Sequence, residues 1–282
     1  MILAYFVSVA YYLDLLADFA LKAFGVVDPM VAHGMTTAIL ALLGTLGYFG
    51  GLRWLEHVEL GSVGLKLAMI AALIAALAWA LGSEVAAGTV AVRPLADQAE
   101  GFDAVRILLG LIILVQGFET SRYLGDSYDR ATRVRTMRHA QWIAFVVYMR
   151  DTHVIELLRP VGSLVAPAII VAALLSQLSA AVADLNGASG LVAGASRQRI
   201  PVAIGYVIAA SASIAVVWAG DIFTVIAWAS KAFVLYYGIQ SATALVVEWV
   251  DPAPTRWGRI VLHGSAIAIA LAVLTLGRAA AG

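Results

Sequence analysis

The 282-residue chain contains no cysteine. Disulfides, thiolate metal sites and cysteine nucleophiles are therefore excluded, while redox compartment stays open. Neither sign of charge is in excess: 18 Lys and Arg face 18 Asp and Glu. With no basic field to attract it, nucleic acid is not expected as a partner. The sequence also lacks a Gly-x-x-x-x-Gly-Lys-Ser/Thr phosphate loop, which excludes that route to an ATP drive. It has neither His-Glu-x-x-His nor a Gly-x-Ser-x-Gly elbow. The five histidines (33, 57, 139, 153 and 263) are scattered near the ends of apolar segments. An enzyme has little to stand on, and no metal or cofactor is expected. The N-terminus lacks the basic region and small-residue cleavage pattern of a signal peptide, and Asp14 and Asp18 interrupt its apolar run. The chain is expected to start inside a helix.

What is abundant is apolar surface. The chain is 62% hydrophobic, with a mean hydropathy of +0.91, against about 45–50% apolar residues in a soluble domain. One globular core cannot hide that much surface, and lipid is its natural solvent. A membrane span needs about 20 mostly apolar residues at about 1.5 Å rise each. Segments of that kind occur at about 2–24, 30–50, 62–82, 104–125, 140–158, 160–184, 201–219, 222–248 and 259–277. The expectation is an all-α, polytopic helix bundle of about nine spans in a single transmembrane domain, 1–282. Segment 140–158 is the weakest, because Arg150, Asp151, His153 and Glu156 follow Met149.

Cytoplasmic loops collect Lys and Arg. If the N-terminus is inside and all segments cross, the inner loops hold Arg53, Arg122, Arg130, Arg133, Arg135, Arg138, Arg197, Arg199, Arg256 and Arg259. If 140–158 stays inside, the last four flip outside. The bias thus predicts a cytoplasmic N-terminus and an outside C-terminus in a cell (inner) membrane. The longest inner loop, about 126–139, carries the arginine cluster. Pro29, Pro160, Pro201 and Pro252 fall near segment starts, where a missing N–H costs little.

A charge at the bilayer centre costs at least about 2.5–3.5 kcal/mol on insertion scales, so charged residues inside spans face the bundle interior and mark function. Glu119 stands foremost, in the run Gln116-Gly117-Phe118-Glu119-Thr120-Ser121. Gly117 gives backbone freedom there, and a helix broken at mid-membrane offers free N–H and C=O groups to a ligand. The alternative is a straight helix with Glu119 paired to Arg122. Lys66 sits one turn into its span, either snorkelling to the headgroups or occupying a would-be cation site. Asp14, Asp18 and Lys22 share a helix face with Tyr11 nearby. Asp18 and Lys22 read as an outer-end pair, and Asp14 as a residue able to line a cavity. The stretch from Ser176 through Ser179 to Gly187 is rich in small residues, which suits close helix packing; its Asp184 either serves the interior or reaches the inner interface. Lys231 lies mid-span and needs a partner that the sequence does not name.

Three of these features, in order, resemble the amino acid–polyamine–organocation (APC) superfamily of secondary transporters, built on two inverted five-helix repeats. Gly117-Phe118-Glu119 is similar to that family's unwound sixth helix. Gly64-Leu65-Lys66-Leu67 is similar to the start of its fifth, where a lysine replaces a sodium ion in sodium-independent members. The basic run from Arg122 to Arg138 matches the loop after the sixth helix. The resemblance begins at the family's third helix, so the first two helices and the twelfth are expected to be missing, and a partner chain supplying them is one expectation. It implies a sodium-independent carrier of an amino acid or related small amine. Gln116, Gly117, Phe118, Glu119 and Thr120 would bind substrate with Asp14 and Tyr11, and Lys66, Ser176 and Ser179 would take the place of a coupling cation. The other reading is a truncated or inactive membrane protein that serves as a scaffold.

Overall fold

The computed structural model describes residues 1–87, 101–110, 129–150, 165–250 and 256–277. Every regular element among them is an α-helix: α1 (Ile2–Ala23), α2 (Pro29–Ala87), α3 (Gly101–Gly110), α4 (Arg130–Arg150), α5 (Val165–Ala195), α6 (Val202–Val217), α7 (Ile222–Val250) and α8 (Arg256–Leu276). Five described stretches are long and apolar enough to cross a bilayer: α1, the Pro29–Gly51 arm of α2, Ile170–Ala195 of α5, α7 and α8. Apolar α6 is shorter, at 16 residues.

Local chemistry sets the boundaries. Helix α1 ends in a Schellman motif, with the Val26 N–H bonding Leu21 O and the Gly25 N–H bonding Lys22 O, each at 3.0 Å. Gly25 has φ +75° there. Asp28 then caps α2, its Oδ1 accepting the Met30 N–H at 2.8 Å. Gly51, at φ 59° and ψ −157°, breaks α2 into two arms. Only glycine adopts that conformation readily. At the end of α5 the Schellman pattern recurs, with Gln198 N–H to Ala193 O and Arg197 N–H to Gly194 O, although no glycine sits at its left-handed residues.

Helix α1 is the hub. It packs against α5, α7, α2 and α6. Tyr5, Phe6, Val9, Ala10, Tyr11 and Leu13 are all buried. Such residues do not fit one i, i+3, i+4 stripe; a helix apolar all round belongs in the middle of a bundle. Around it Leu40, Val182, Leu185, Tyr206, Val217 and Phe233 complete the core. The outer surface is apolar as well, with Leu3, Phe49, Leu262 and Leu271 exposed, as expected where lipid is the solvent.

Glycine sets two close approaches. A Cβ on Gly205 of α6 would lie 2.6 Å from the Ser189 backbone oxygen of α5. A Cβ on Gly47 of α2 would lie 2.5 Å from the Tyr206 ring. These are small-residue contacts of the kind that hold membrane helices together without a hydrophobic drive between them.

Two expectations need correction. Helix α5 runs on to Ala195 instead of ending near 184, because packing against α1 and α6 outweighs the helix cost of Gly187, Gly190 and Gly194. Asp184 consequently lies within the helix, buried at 5% exposure, instead of at its end. The arginine cluster, expected in a loop over 126–139, is helical from Arg130. Asp129 caps it, its Oδ2 accepting the Thr132 N–H at 3.1 Å and its O the Arg133 N–H. A charged stretch needs no apolar face to be helical when it continues directly into a longer helix.

Candidate functional site

The central run Gln116, Gly117, Phe118, Glu119 and Thr120 lies outside the described residues. Lys66 falls within the second arm of α2, but its side chain is outside the described set. The remaining expected site residues gather on α1 and α5. Tyr11 and Asp14 are buried on α1, Ser179 is buried on α5, and Ser176 is half-buried beside it.

Asp14 is 4% exposed. Its described hydrogen-bond partner is Thr36 of α2, whose Oγ1 lies 3.3 Å from Asp14 Oδ1. That hydroxyl also lies 2.8 Å from Ala32 O and 3.4 Å from Leu13 O. It carries one proton, and the 2.8 Å bond to Ala32 O claims it best. Among the described residues, the Asp14 carboxylate therefore keeps most of its accepting capacity unspent, inside an apolar bundle. His33 and Asp18 are close enough to act on it electrostatically. Nearby, His33 stacks edge-on to Trp218 at 5.5 Å, and the Trp218 indole N–H donates to Thr37 Oγ1 at 3.0 Å. These contacts tie the start of α2 to the end of α6. Asp18 and Lys22 pair at 2.7 Å in the open, as their spacing suggested.

A further buried carboxylate lies on α5. Asp184 of α5 is 5% exposed and accepts a hydrogen bond from the Ser8 hydroxyl of α1. Ser8 and Asp14 are six residues apart on one helix, a rise of about 9 Å, so α1 carries polar contacts at two depths. Between Ser176 and Ser179, Gln177 Oε1 is buried with no hydrogen-bond partner among the described residues. Further along α5, Asn186 Oδ1 accepts the Tyr206 hydroxyl at 2.7 Å. Ser213 of α6 donates to Phe6 O at 2.8 Å. The result is a polar seam along α1, α5 and α6 in an otherwise apolar core. Thr36, Gln177, Asp184 and Asn186 had one signal in the sequence, that of being polar within apolar runs; only tertiary packing gives Thr36, Asp184 and Asn186 their partners on other helices.

Lys231 is half-buried on α7 with no ion-pair partner among the described residues. A shallow groove of about 310 Å³ between α2 and α6 is lined by Gly44, Tyr48, Phe49, Val207 and Ile214 among others. It opens outward and touches neither Asp14 nor Asp184. The described residues hold no group of three His, Cys, Asp or Glu able to bind a metal.

Outside the spans, hydrogen bonding sets two carboxylates. At the start of α7 the Thr224 hydroxyl and backbone hold Asp221 below the ordinary carboxylate range, and Thr132 does the same for Asp129. Both are helix caps and carry no sign of ligand chemistry.

Against known sequences, a protein-family model described as an APC superfamily transporter matches residues 1–277. An uncharacterized protein of Aquifex aeolicus (strain VF5) is 33% identical over 266 residues, which is 87% of this chain and 63% of that protein. The chain thus spans less than two thirds of the relative it matches.

Proposed function

We propose that this chain, which belongs to the APC superfamily of transporters, carries an amino acid or related small amine across the cell membrane without sodium. It is a multi-pass membrane protein. The reading adds about nine spans in one domain over 1–282, an inverted-repeat arrangement, a cytoplasmic N-terminus and an outside C-terminus.

The observation that supports it best is the state of Asp14. A carboxylate sealed in a membrane bundle, with its hydrogen-bonding capacity largely unspent, suits an ammonium group. Tyr11, buried one turn earlier on the same helix, gives that place an aromatic wall. In this reading Gln116, Gly117, Phe118, Glu119 and Thr120 offer freed backbone amides to the substrate carboxylate, and Glu119 is a gate or proton-linked group. Lys66, with Ser176 and Ser179, takes the place of a coupling cation. A partner chain can supply further helices.

Thermal stabilisation by ligand separates a carrier from a scaffold, because a molecule that binds only the native state raises its stability. The expected result is that one amino acid or amine raises the melting temperature of the purified chain and fails to do so in Asp14→Asn. If neither amino acids nor simple amines shift the melting temperature, the scaffold reading stands instead.

A further inference from the structure

The end of α7 and the start of α8 bring together charges that the proposed function does not use. Glu248, near the end of α7, is 3% exposed, and its Oε1 pairs with Arg259 Nε at 2.7 Å. Its Oε2 is buried with no hydrogen-bond partner among the described residues. Glu248 thereby neutralises Arg259, and Arg256 has no ion-pair partner among the described residues. The Arg256 guanidinium sits 4.9 Å from the Trp249 ring and 5.5 Å from the Trp257 ring. Its Nε is buried and unpartnered among the described residues. Both indoles face outward, at 64% and 72% exposure, and Val250 beside them is 80% exposed.

We infer that this corner binds the headgroup of an anionic phospholipid, with the lipid phosphate on Arg256. Three features favour that occupant over a generic aromatic anchor. The two helices end here, so the cluster sits at the membrane boundary, where Trp is enriched. The guanidinium is planar and forked, matched to a phosphate in two-point contact, and its place beside two indole rings restrains it in advance. The exposed apolar surface continues from Val250 onto Val246 of α7 and Val261 of α8, a path for acyl chains. Basic clusters between membrane helices are a recognised form of lipid headgroup site. The inference concerns a structural lipid and is independent of which substrate is carried.

Native mass spectrometry of the purified chain with an equimolar mixture of phosphatidylglycerol and phosphatidylcholine tests it. One surface arginine adds about 1 kcal/mol toward an anionic lipid, which is about fivefold in relative affinity. The expected result is about fivefold preferential retention of phosphatidylglycerol, lost in Arg256→Gln and partly kept in Arg256→Lys. Arg138→Gln, a change in a separate basic cluster, should leave the preference intact. Equal retention of both lipids by the wild type overturns the inference, as does an unchanged preference in Arg256→Gln. An equal loss in Arg138→Gln also overturns it, since the effect would then be bulk charge. Displacement of the lipid by an equal concentration of glycerol 3-phosphate would show a site for free phosphate and overturn it too.

Discussion

Gly205→Ala probes the packing that seals the polar seam. The added methyl would lie 2.6 Å from Ser189 O, 3.0 Å from its Cα and 3.1 Å from its carbonyl carbon. Ordinary contact begins at 3.4 Å, so the closest approach falls about 0.8 Å short. Every atom in the way is backbone, so no rotamer change relieves it, and α5 and α6 must move apart. Overpacking of this kind costs about 1–3 kcal/mol. Replacing glycine by alanine within a helix returns up to about 1 kcal/mol, which leaves a net loss of up to about 2 kcal/mol, and about 1–3 kcal/mol relative to an unobstructed glycine-to-alanine change. Gly190→Ala is the matched control: it lies on α5 beside Ser189, with nothing within 4 Å of its added Cβ, and should be neutral or mildly stabilising. The assay is survival of the monodisperse peak in size-exclusion chromatography after stepwise heating. If Gly205→Ala survives heating as well as Gly190→Ala, the close approach of α5 and α6 is wrong, and with it the sealing of the seam.

Asp221→Ala removes the cap of α7, where Asp221 Oδ1 accepts the Phe223 and Thr224 N–H groups at 3.0 and 3.1 Å; a loss of about 1 kcal/mol is expected in the same heating assay. Since the folded carboxyl is held below its ordinary value of 3.8, its contribution is fully present above that value. It fades as pH falls through the lower folded value, so wild type should approach Asp221→Ala in stability only in acid; a constant gap from neutral pH down through pH 3 contradicts the assignment. Arg259→Gln strands the buried Glu248 charge and should cost about 3–5 kcal/mol. Glu248→Gln, which leaves the half-exposed Arg259 to water, should cost clearly less, and the reverse order contradicts the geometry.

The class of fold is written in the composition, and the ends of α1, α6, α7 and α8 follow the apolar runs closely. The Asp18–Lys22 pair is equally readable, because i, i+4 spacing alone brings such residues together. Asp184 is not: three downstream glycines argue for a helix end, and only packing against neighbouring helices carries α5 past them. The contact of Ser8 with Asp184 joins residues 176 positions apart, a separation no local pattern encodes. Glu248 and Arg259 lie on different helices, and their pairing depends on how α7 and α8 meet. The helical start of α4 was hidden because hydropathy reads a basic stretch as loop, while Asp129 and Thr132 give a cap that only composition-blind inspection would notice. Asp14 was legible as a polar interruption of an apolar helix, but its weak hold on Thr36, on which the proposed function rests, is a matter of distances.

The most direct test of the central claim is uptake of radiolabelled amino acids and simple amines by proteoliposomes that contain the purified chain, in sodium buffer and in choline buffer. The account predicts saturable uptake of at least one of them, equal in both buffers and at least about tenfold lower in Asp14→Asn, the loss expected when about 1.4 kcal/mol of substrate interaction is removed. Uptake that requires sodium, or that is unchanged in a well-folded Asp14→Asn, would contradict it.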